Sequence, residues 1–504
     1  MKGQRSAYAI HSWTGVLAGW LLFVICLTGT LVVYKYPLKA LSNPEMARVE
    51  APDHLGPDEA LAAFERAVPE AKVRTFAFPS DVYSIHQYSI VAEGPDGRDK
   101  RYWISPESGM VRRELQSDFA DFLQRLHAGL WMGGKGRWVV GALGLTMFVS
   151  LVAGLWFHWP HVRRDLFHLR LTSHRRKAWS DLHKMSGVWA LPFHLIIALT
   201  GAWLGLEGLI GIRASSSSPI EIQGSGPGTP LPISKILLRA EALYPELQPS
   251  HVNITNRSAA GSTIRVQGDL PGHRLVQRGQ TMFVFDADTG EHLQTVDRTK
   301  QGLGRRVLAM MRPLHYGYFW PGAGEVAYLL LGAASTLLIA SGMFIWAERD
   351  RRKRFPRAAD AVTAMERANA GIIGGILVAL AVIALLHALA RLPATGAVFG
   401  PLGGLRFLES QDLLSGRPIT VGLWLFVAIW LAAGAILARL NPVVAWCQAL
   451  TLTGAVALLL ILVTLVPVLG TQLVRDIPSL GAGYALVCSG MAFASFLTVR
   501  RLRA

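Results

Sequence analysis

The chain of 504 residues is 51% hydrophobic, has a mean hydropathy of +0.33 and carries a formal charge of +16 at pH 7. Apolar runs of about 20 residues recur along it, each long enough to cross a hydrocarbon layer of ~30 Å, which excludes a soluble globular protein. The charge does not point to nucleic acid. Its clusters (Lys2 and Arg5; Arg163, Arg164, Arg170, Arg175, Arg176 and Lys177; Arg349, Arg351, Arg352, Lys353, Arg354 and Arg357; Arg500, Arg501 and Arg503) fall on one side of a bilayer if the spans alternate, which is the positive-inside pattern with contact to anionic lipid.

Spans are predicted near 12–34, 138–159, 186–210, 325–346, 371–391, 419–439, 442–468 and 480–499, about eight in all. The first, within 1–34, is read as a retained helix, because its apolar run ends in LVVYKYPLKA without a small-x-small cleavage site. Basic loops are expected at 160–185 and 347–370, with both chain ends on their side, and hydrophilic stretches at 35–137 and 211–324 on the other. Each hydrophilic stretch has a helix-like segment, GPDEALAAFERAVPEA or PISKILLRAEALYPEL, followed by alternating runs that read as strands. Glu107-Ser108-Gly109 and Asp288-Thr289-Gly290 sit between β-prone runs as hairpin turns, so each stretch is expected to be a small α+β module. SSSSPIEIQGSGPGTP is a linker by composition, and 371–504 is expected to hold a bundle of about four helices.

The chain repeats itself around four histidines. His11 and His183 are each followed by Gly four residues later (Gly15, Gly187) and by Thr-Gly seventeen later (Thr28-Gly29, Thr200-Gly201). His127 and His315 each precede a glycine, Gly154 and Gly342, at the same interval. The core is thus a tandem repeat of helix, outer module and helix, with an even number of spans between copies and an axis along the membrane normal. His11 and His183 lie toward the basic side, His127 and His315 toward the other. Paired imidazoles at matched depths are what holding an iron porphyrin from both faces requires. Cys26, Cys447 and Cys488 occur in no CxxC spacing, so any such haem is held without covalent attachment.

His194, eleven residues after His183, projects from the same face of a straight helix and is either a further ligand, a propionate or proton contact, or a hydrogen-bonded core histidine. His158 is a substitute should His11 stand too far out. Arg137 and Arg312 are candidate partners for haem propionates or for an acidic chelate. His387 is a polar group at membrane depth. The remaining histidines, such as His54, His86, His168, His174 and His292, lack metal-ligand spacing. Trp131, Trp138, Tyr316, Tyr318, Phe319 and Trp320 form either an interfacial belt or a rim around a flat ligand.

HSWTGVLAGWLLFVICLTGTL, the two hairpins, LHAGLWMGGKGRWVVG, DLHKMSGVWALPFHLIIALTG and LHYGYF occur here in an order that resembles the PepSY-associated transmembrane helix family, over residues 1 to about 350. The resemblance implies PepSY-like modules in the periplasm of a Gram-negative cell and an inner-membrane location. Some members, the ferrioxamine-type reductases, are haem proteins that reduce iron in ferric siderophores, which implies the same reaction class here. Two haems b would be held by His11, His127, His183 and His315, with a ferric siderophore as oxidant. No GxGxxG after a strand, Walker loop or flavin motif is present, so the donor is expected to be a quinol or a separate cytoplasmic reductase. The alternatives are a b-type haem oxidoreductase with another external acceptor, a permease using the C-terminal spans, and a non-redox protein that binds, anchors or inhibits an envelope partner.

Overall fold

The computed structural model describes residues 2–42, 55–79, 87–113, 119–165, 175–211, 230–255, 261–270, 272–273, 275, 281–317, 319–320, 322–355, 362–389 and 421–465. The linker at 215–230 falls outside them but for Pro230, and the span expected near 480–499, with His54, His86, His168, His174 and Tyr318, falls outside them entirely. The chain forms two compact units, one of residues 1–42, 116–206 and 326–504, the other of residues 43–115 and 207–325.

The first unit is helical. Its elements in chain order are α1 (Lys2–Val32) and α2 (Lys35–Ser42), with α3 (Pro57–Ala67) lying in the other unit, then α4 (Phe119–Gly129), α5 (Gly133–His158), α6 (Val162–Asp165), α7 (Arg175–Trp189) and α8 (Leu191–Ile210). After α9 (Ile233–Leu243) and α10 (Leu303–Tyr316) of the second unit come α11 (Ala323–Arg354), α12 (Ala364–Asn369), α13 (Gly375–Leu389), α14 (Val421–Arg439) and α15 (Pro442–Leu465). Among the described residues five helical stretches are long and apolar enough to cross a membrane: Gly3–Val32, Gly133–His161, Leu191–Ile210, Ala323–Arg354 and Ala364–His387. The apolar runs of α14 and α15, Leu423–Arg439 and Val444–Val456, are shorter.

The packing is that of helices in lipid. Trp13, Leu17, Trp156, Leu330 and Leu431 are all at least 60% exposed, which in water would be an aggregation surface and in hydrocarbon is the expected outer face. Small residues take the crossings instead: a Cβ on Gly205 would fall 2.5 Å from Gly141 Cα, and one on Gly144 2.8 Å from Ala202 N, so α5 and α8 touch backbone to backbone. The third span begins later than the expected 186, at Leu191, and a separate helix precedes it. α7 starts at Arg175 inside the expected basic loop, and the chain breaks at Ala190, where Pro192 removes a helix donor and crowds the preceding turn. Likewise α11 runs on to Arg354. Its arginines are tied to local acids, with Arg351 and Arg352 on Glu348 at 2.8 and 2.9 Å and Arg354 on Asp350 at 2.8 Å.

α4 was expected within the outer module at 35–137 but belongs to the helical unit. Its apolar face, Phe122, Leu123 and Leu126, is buried in one core with Phe23 and Val24 of α1 and Phe426 of α14. Lys39 of α2, itself 2% exposed, holds Asp121 of α4 at 2.8 Å. Burial pushes the Asp121 carboxyl up, but the charges of Lys39 and Lys35 and the bond from Lys39 outweigh it and hold the group below its ordinary value.

The second unit is one antiparallel sheet rather than two. Strands β1 (Lys72–Ala77), β2 (Tyr88–Glu93), β3 (Asp99–Ile104) and β4 (Val111–Arg113) come from the first hydrophilic stretch, and β5 (Gln248–Thr255), β6 (Thr263–Asp269), β7 (Thr281–Asp286) and β8 (His292–Asp297) from the second. The order is β4-β3-β2-β1-β5-β6-β7-β8, joined where Phe76 faces Val252. Each stretch thereby covers the edge strand that the other would leave open. α3 and α9 pack on one face, their Phe64, Ile236 and Ala240 fully buried with Phe76, Ile90, Val252 and Phe285. Gly109 and Gly290, both at positive φ, close the two predicted hairpins.

Candidate functional site

α1, α5, α7 and α11 enclose a cavity of about 340 Å³, within the ~300–1,000 Å³ usual for cofactor sites. His11 and His183 both line it, with ring centroids 6.0 Å apart and planes at 63°. The two rings are held in matching ways. His11 Nδ1 donates to the Ser150 carbonyl at 2.8 Å, with the Ser150 hydroxyl at 3.1 Å. His183 Nδ1 donates to the Leu338 carbonyl at 2.9 Å, with the Ser341 hydroxyl at 3.2 Å. Ser150 and Leu338 each stand four residues before the glycine on which the ring rests. A Cβ at Gly154 would lie 2.8 Å from His11 Nδ1, and one at Gly342 would lie 3.1 Å from His183 Cε1. A carbonyl acceptor fixes the proton on Nδ1, so Nε2 carries the lone pair in both rings. Orienting one ring nitrogen on a carbonyl is the usual support of an imidazole that ligates a metal through the other.

His127 shows the same pattern in the same unit. Its Nδ1 donates to the Ile25 carbonyl at 2.9 Å, and a Cβ on Gly29, four residues after Ile25, would lie 2.7 Å from its ring. Burial lowers the proton affinity of His127, more than the Ile25 bond raises it, which favours the neutral ring. His315 lies in the second unit near the end of α10, its ring 5.6 Å from that of Tyr316.

His194 is built differently. Nε2 donates to the Ser186 carbonyl at 3.1 Å, Nδ1 faces the Ser335 hydroxyl at 2.9 Å, and the residue is 0% exposed. Both nitrogens are used, which is the arrangement of a core histidine; the break at Ala190 also removes the straight helix that put it in line with His183. His158 lines the cavity with its ring stacked on His161 at 6.2 Å. His387 donates from Nδ1 to the Ile383 carbonyl of its own helix and packs between Phe119 and Phe122. Arg312 is paired with Glu207 at 2.8 Å, whereas Arg137 is exposed. Trp131 packs on Phe122 and Arg125, while Trp138 and Trp320 are exposed, as a belt requires.

Three charged or polar groups on the cavity wall escaped the sequence reading: Tyr8, Lys184 and Arg349. The Arg349 guanidinium bonds the Tyr8 hydroxyl and lies 5.5 Å from its ring centre, and Tyr8 packs on Phe157 at 5.0 Å. Arg349 stood in a run of arginines that reads as a topology signal, which hides a binding role.

Among the described residues no group of three or more His, Cys, Asp or Glu is placed to hold a metal ion. A pair of imidazoles alone does not make a zinc site, which takes three or four protein ligands. It does suit a metal that brings its own equatorial ligands. His11 and His183, with ring centroids 6.0 Å apart on the cavity they share, are the residues that would hold such a metal. Beside His11, Gly15 lines the cavity, and a Cβ there would meet no atom within 4 Å, leaving open space for a flat macrocycle.

Residues 8–349 match the PepSY-associated TM region family. The chain belongs to this family. The match takes in all four helices around the cavity and both of its central histidines, and it ends at Arg349 on the cavity wall. The chain is also similar to an uncharacterized protein of Pseudomonas aeruginosa, at 28% identity over 396 residues, 73% of this chain and 92% of that one.

Proposed function

We propose that this PepSY-associated membrane protein is a haem-containing reductase of the bacterial inner membrane that moves electrons across the bilayer to reduce Fe(III) in ferric siderophores. The observation that carries the reading is the His11–His183 pair: two rings on a shared cavity, each with Nδ1 pinned to a carbonyl and Nε2 left as the ligating nitrogen. Haem b, when bound, supplies one-electron redox chemistry tuned by its axial ligands and the dielectric around it. The chain's own contributions are then distinct. His11 and His183 ligate, Gly154 and Gly342 let each ring seat against its helix, and Gly15 leaves the macrocycle room. Arg349 and Lys184, the latter also 3.4 Å from Asp181, are proposed as the cations for the propionates because both line the cavity; Arg312 lies in the second unit, paired with Glu207. Leu22, Met147, Leu151 and Met343 keep the cavity apolar.

His127, with the same support on Nδ1, is proposed as a ligand of a second haem, and His315 is its counterpart by the repeat. Each chelated Fe(III) takes one electron and leaves as Fe(II), which hard oxygen ligands hold less tightly. The electron comes from a separate donor, a quinol or a cytoplasmic reductase. Chain ends and arginine clusters lie on the cytoplasmic side and the sheet unit in the periplasm, as the charge pattern favours. Exposed Arg137 is available to attract an acidic chelate.

The test is an absorption spectrum of the detergent-purified protein, oxidised and reduced, with a pyridine haemochrome count. The expected result is a low-spin b-type spectrum with about two haems per chain, reoxidised when a ferric siderophore is added without oxygen. Haem that is reoxidised only by another acceptor moves the reading to a different oxidoreductase. Protein that stays haem-free under ample haem supply leaves an envelope-binding role.

A further inference from the structure

The family match ends at Arg349, yet the chain continues into α12–α15, and the structure gives this continuation a point of attachment beside the cavity. Asn369, at the end of α12, is 1% exposed and uses both ends of its amide. Its Oδ1 accepts the indole N–H of Trp20 on α1 at 2.9 Å, and its Nδ2 donates to the Met343 carbonyl on α11 at 3.3 Å. A buried amide at membrane depth is costly unless so engaged.

Both contacts lie on helices that carry the histidine cavity, α1 and α11. Trp20 is nine residues, about two and a half turns, after His11, so it stands on the opposite face of the same helix. Met343 follows Gly342, the seat of His183; its side chain lines the cavity and fits against Gly19 of α1, where a Cβ would fall 2.2 Å from its sulfur. Asn369 is itself fixed in place. Thr363 and Glu366 form a capping box at the start of α12, and Glu366 lies 3.8 Å from Arg351 of α11. Directly after Asn369 the chain makes a π-turn, Ala370–Gly374, whose Ile372 carbonyl is taken by the Trp430 indole of α14 at 3.0 Å. Such turns are rare and concentrate at functional sites.

We infer that the C-terminal helices brace the His11–His183 cavity, with Asn369 as the positioning residue that holds α1 and α11 in register. The consequence for haem rests on the function proposed above; the brace itself does not. Full-length protein is compared as wild type, Asn369→Ala and Trp20→Phe, the last keeping an aromatic side chain, though a smaller one, and removing the indole donor. Amide hydrogen exchange should quicken about tenfold around residues 15–24 and 338–347 in both variants, while β1–β8 keep their protection. Haem-loaded variants should lose haem to an acceptor protein about tenfold faster, as expected when a group that orients ligands is removed, and the reduced haem should begin to bind carbon monoxide, which a six-coordinate bis-histidine site excludes.

Unchanged exchange in both variants overturns the brace, whatever the haem content. Faster exchange with unaltered haem retention and no carbon monoxide binding overturns the positioning role. If the wild type holds no haem, the reductase reading fails, and exchange alone decides the brace. Should Asn369→Ala lose protection everywhere, Trp20→Phe decides.

Discussion

The helix pair α7–α8 carries two histidines in opposite chemical situations, His183 half-buried and His194 fully buried. His183 spends one ring nitrogen on a backbone carbonyl and turns the ring toward a cavity, whereas His194, one break in the helix later, spends both on Ser186 and Ser335. A neutral imidazole has one donor and one acceptor, so the second arrangement is complete and the first is not. His194 is the more buried of the two, but the hydrogen-bond count is what sets their chemistry apart. The largest effect should therefore come from exchanging them as targets. His183→Ala or His11→Ala is expected to abolish one haem per chain by haemochrome count. His194→Ala should keep the haem and cost about 1–3 kcal/mol, because the Ser186 carbonyl and Ser335 hydroxyl lose a buried partner, read as a lower Tm. Haem loss in His194→Ala with haem kept in His183→Ala would reverse the assignment.

A second test acts on the space rather than the ligands. Gly15→Leu directs a side chain from the cavity wall beside His11, where a Cβ meets no atom within 4 Å. The expected outcome is protein that accumulates normally and is at least as stable, yet binds haem at the His11–His183 site more than tenfold more weakly, in line with losing a well-fitted ligand shell. If the four helices merely pack around structural histidines, the same substitution leaves ligand content untouched and only adds apolar burial.

The nearness of His11 and His183 could be read from their matched surroundings, each followed by Gly four residues later and by Thr-Gly seventeen later. What was not legible is which ring each glycine serves. Gly154 seats His11, and Gly29 seats His127, so the two spans of the first copy exchange partners. The acceptors were invisible for a stronger reason: Ser150, Leu338 and Ile25 act through backbone carbonyls, which no side chain announces. The first five of the eight expected spans and both hairpins could be read from apolar length and from acidic-x-Gly turns. The union of both hydrophilic stretches in one sheet could not, because β1 and β5 lie far apart in sequence and their pairing depends on edges that only the folded unit brings together. Nor could the place of α4, whose one-sided apolar face suits a membrane-unit core and a soluble core equally well.

An intermediate effect is expected at the charged and polar residues of the cavity wall. Arg349→Ala and Lys184→Ala should each weaken haem retention by a factor corresponding to about 1.5–3 kcal/mol, the worth of a hydrogen bond to a charged group, and shift the midpoint potential of the bound haem. Tyr8→Phe, which removes the hydroxyl that bonds Arg349 but leaves the packing on Phe157, should have a smaller effect in the same direction. Redox titration of the three variants gives the order, and an effect of Arg137→Ala larger than that of Arg349→Ala would return the propionates to the residue first expected to hold them.

The smallest effect concerns how His127 is held compared with His183. His183 sits on a long helix pair, but His127 sits on the short α4, which the Lys39–Asp121 pair ties to α2. Asp121→Asn should cost about 1 kcal/mol of local stability, since it removes the charge facing Lys39 in a pair whose carboxylate is 20% exposed. The pH dependence has a definite sign. The folded-state value of Asp121 is depressed, so its contribution is fully present above the ordinary carboxylate range and is lost only as pH falls through the folded value. The stability difference between wild type and Asp121→Asn, measured by hydrogen exchange of α4, should thus stay constant from about pH 7 to pH 5 and shrink below about pH 4. A difference that instead changes near pH 6.5, where a free imidazole titrates, would mean that the anchorage of α4 depends on His127 itself rather than on the ion pair behind it.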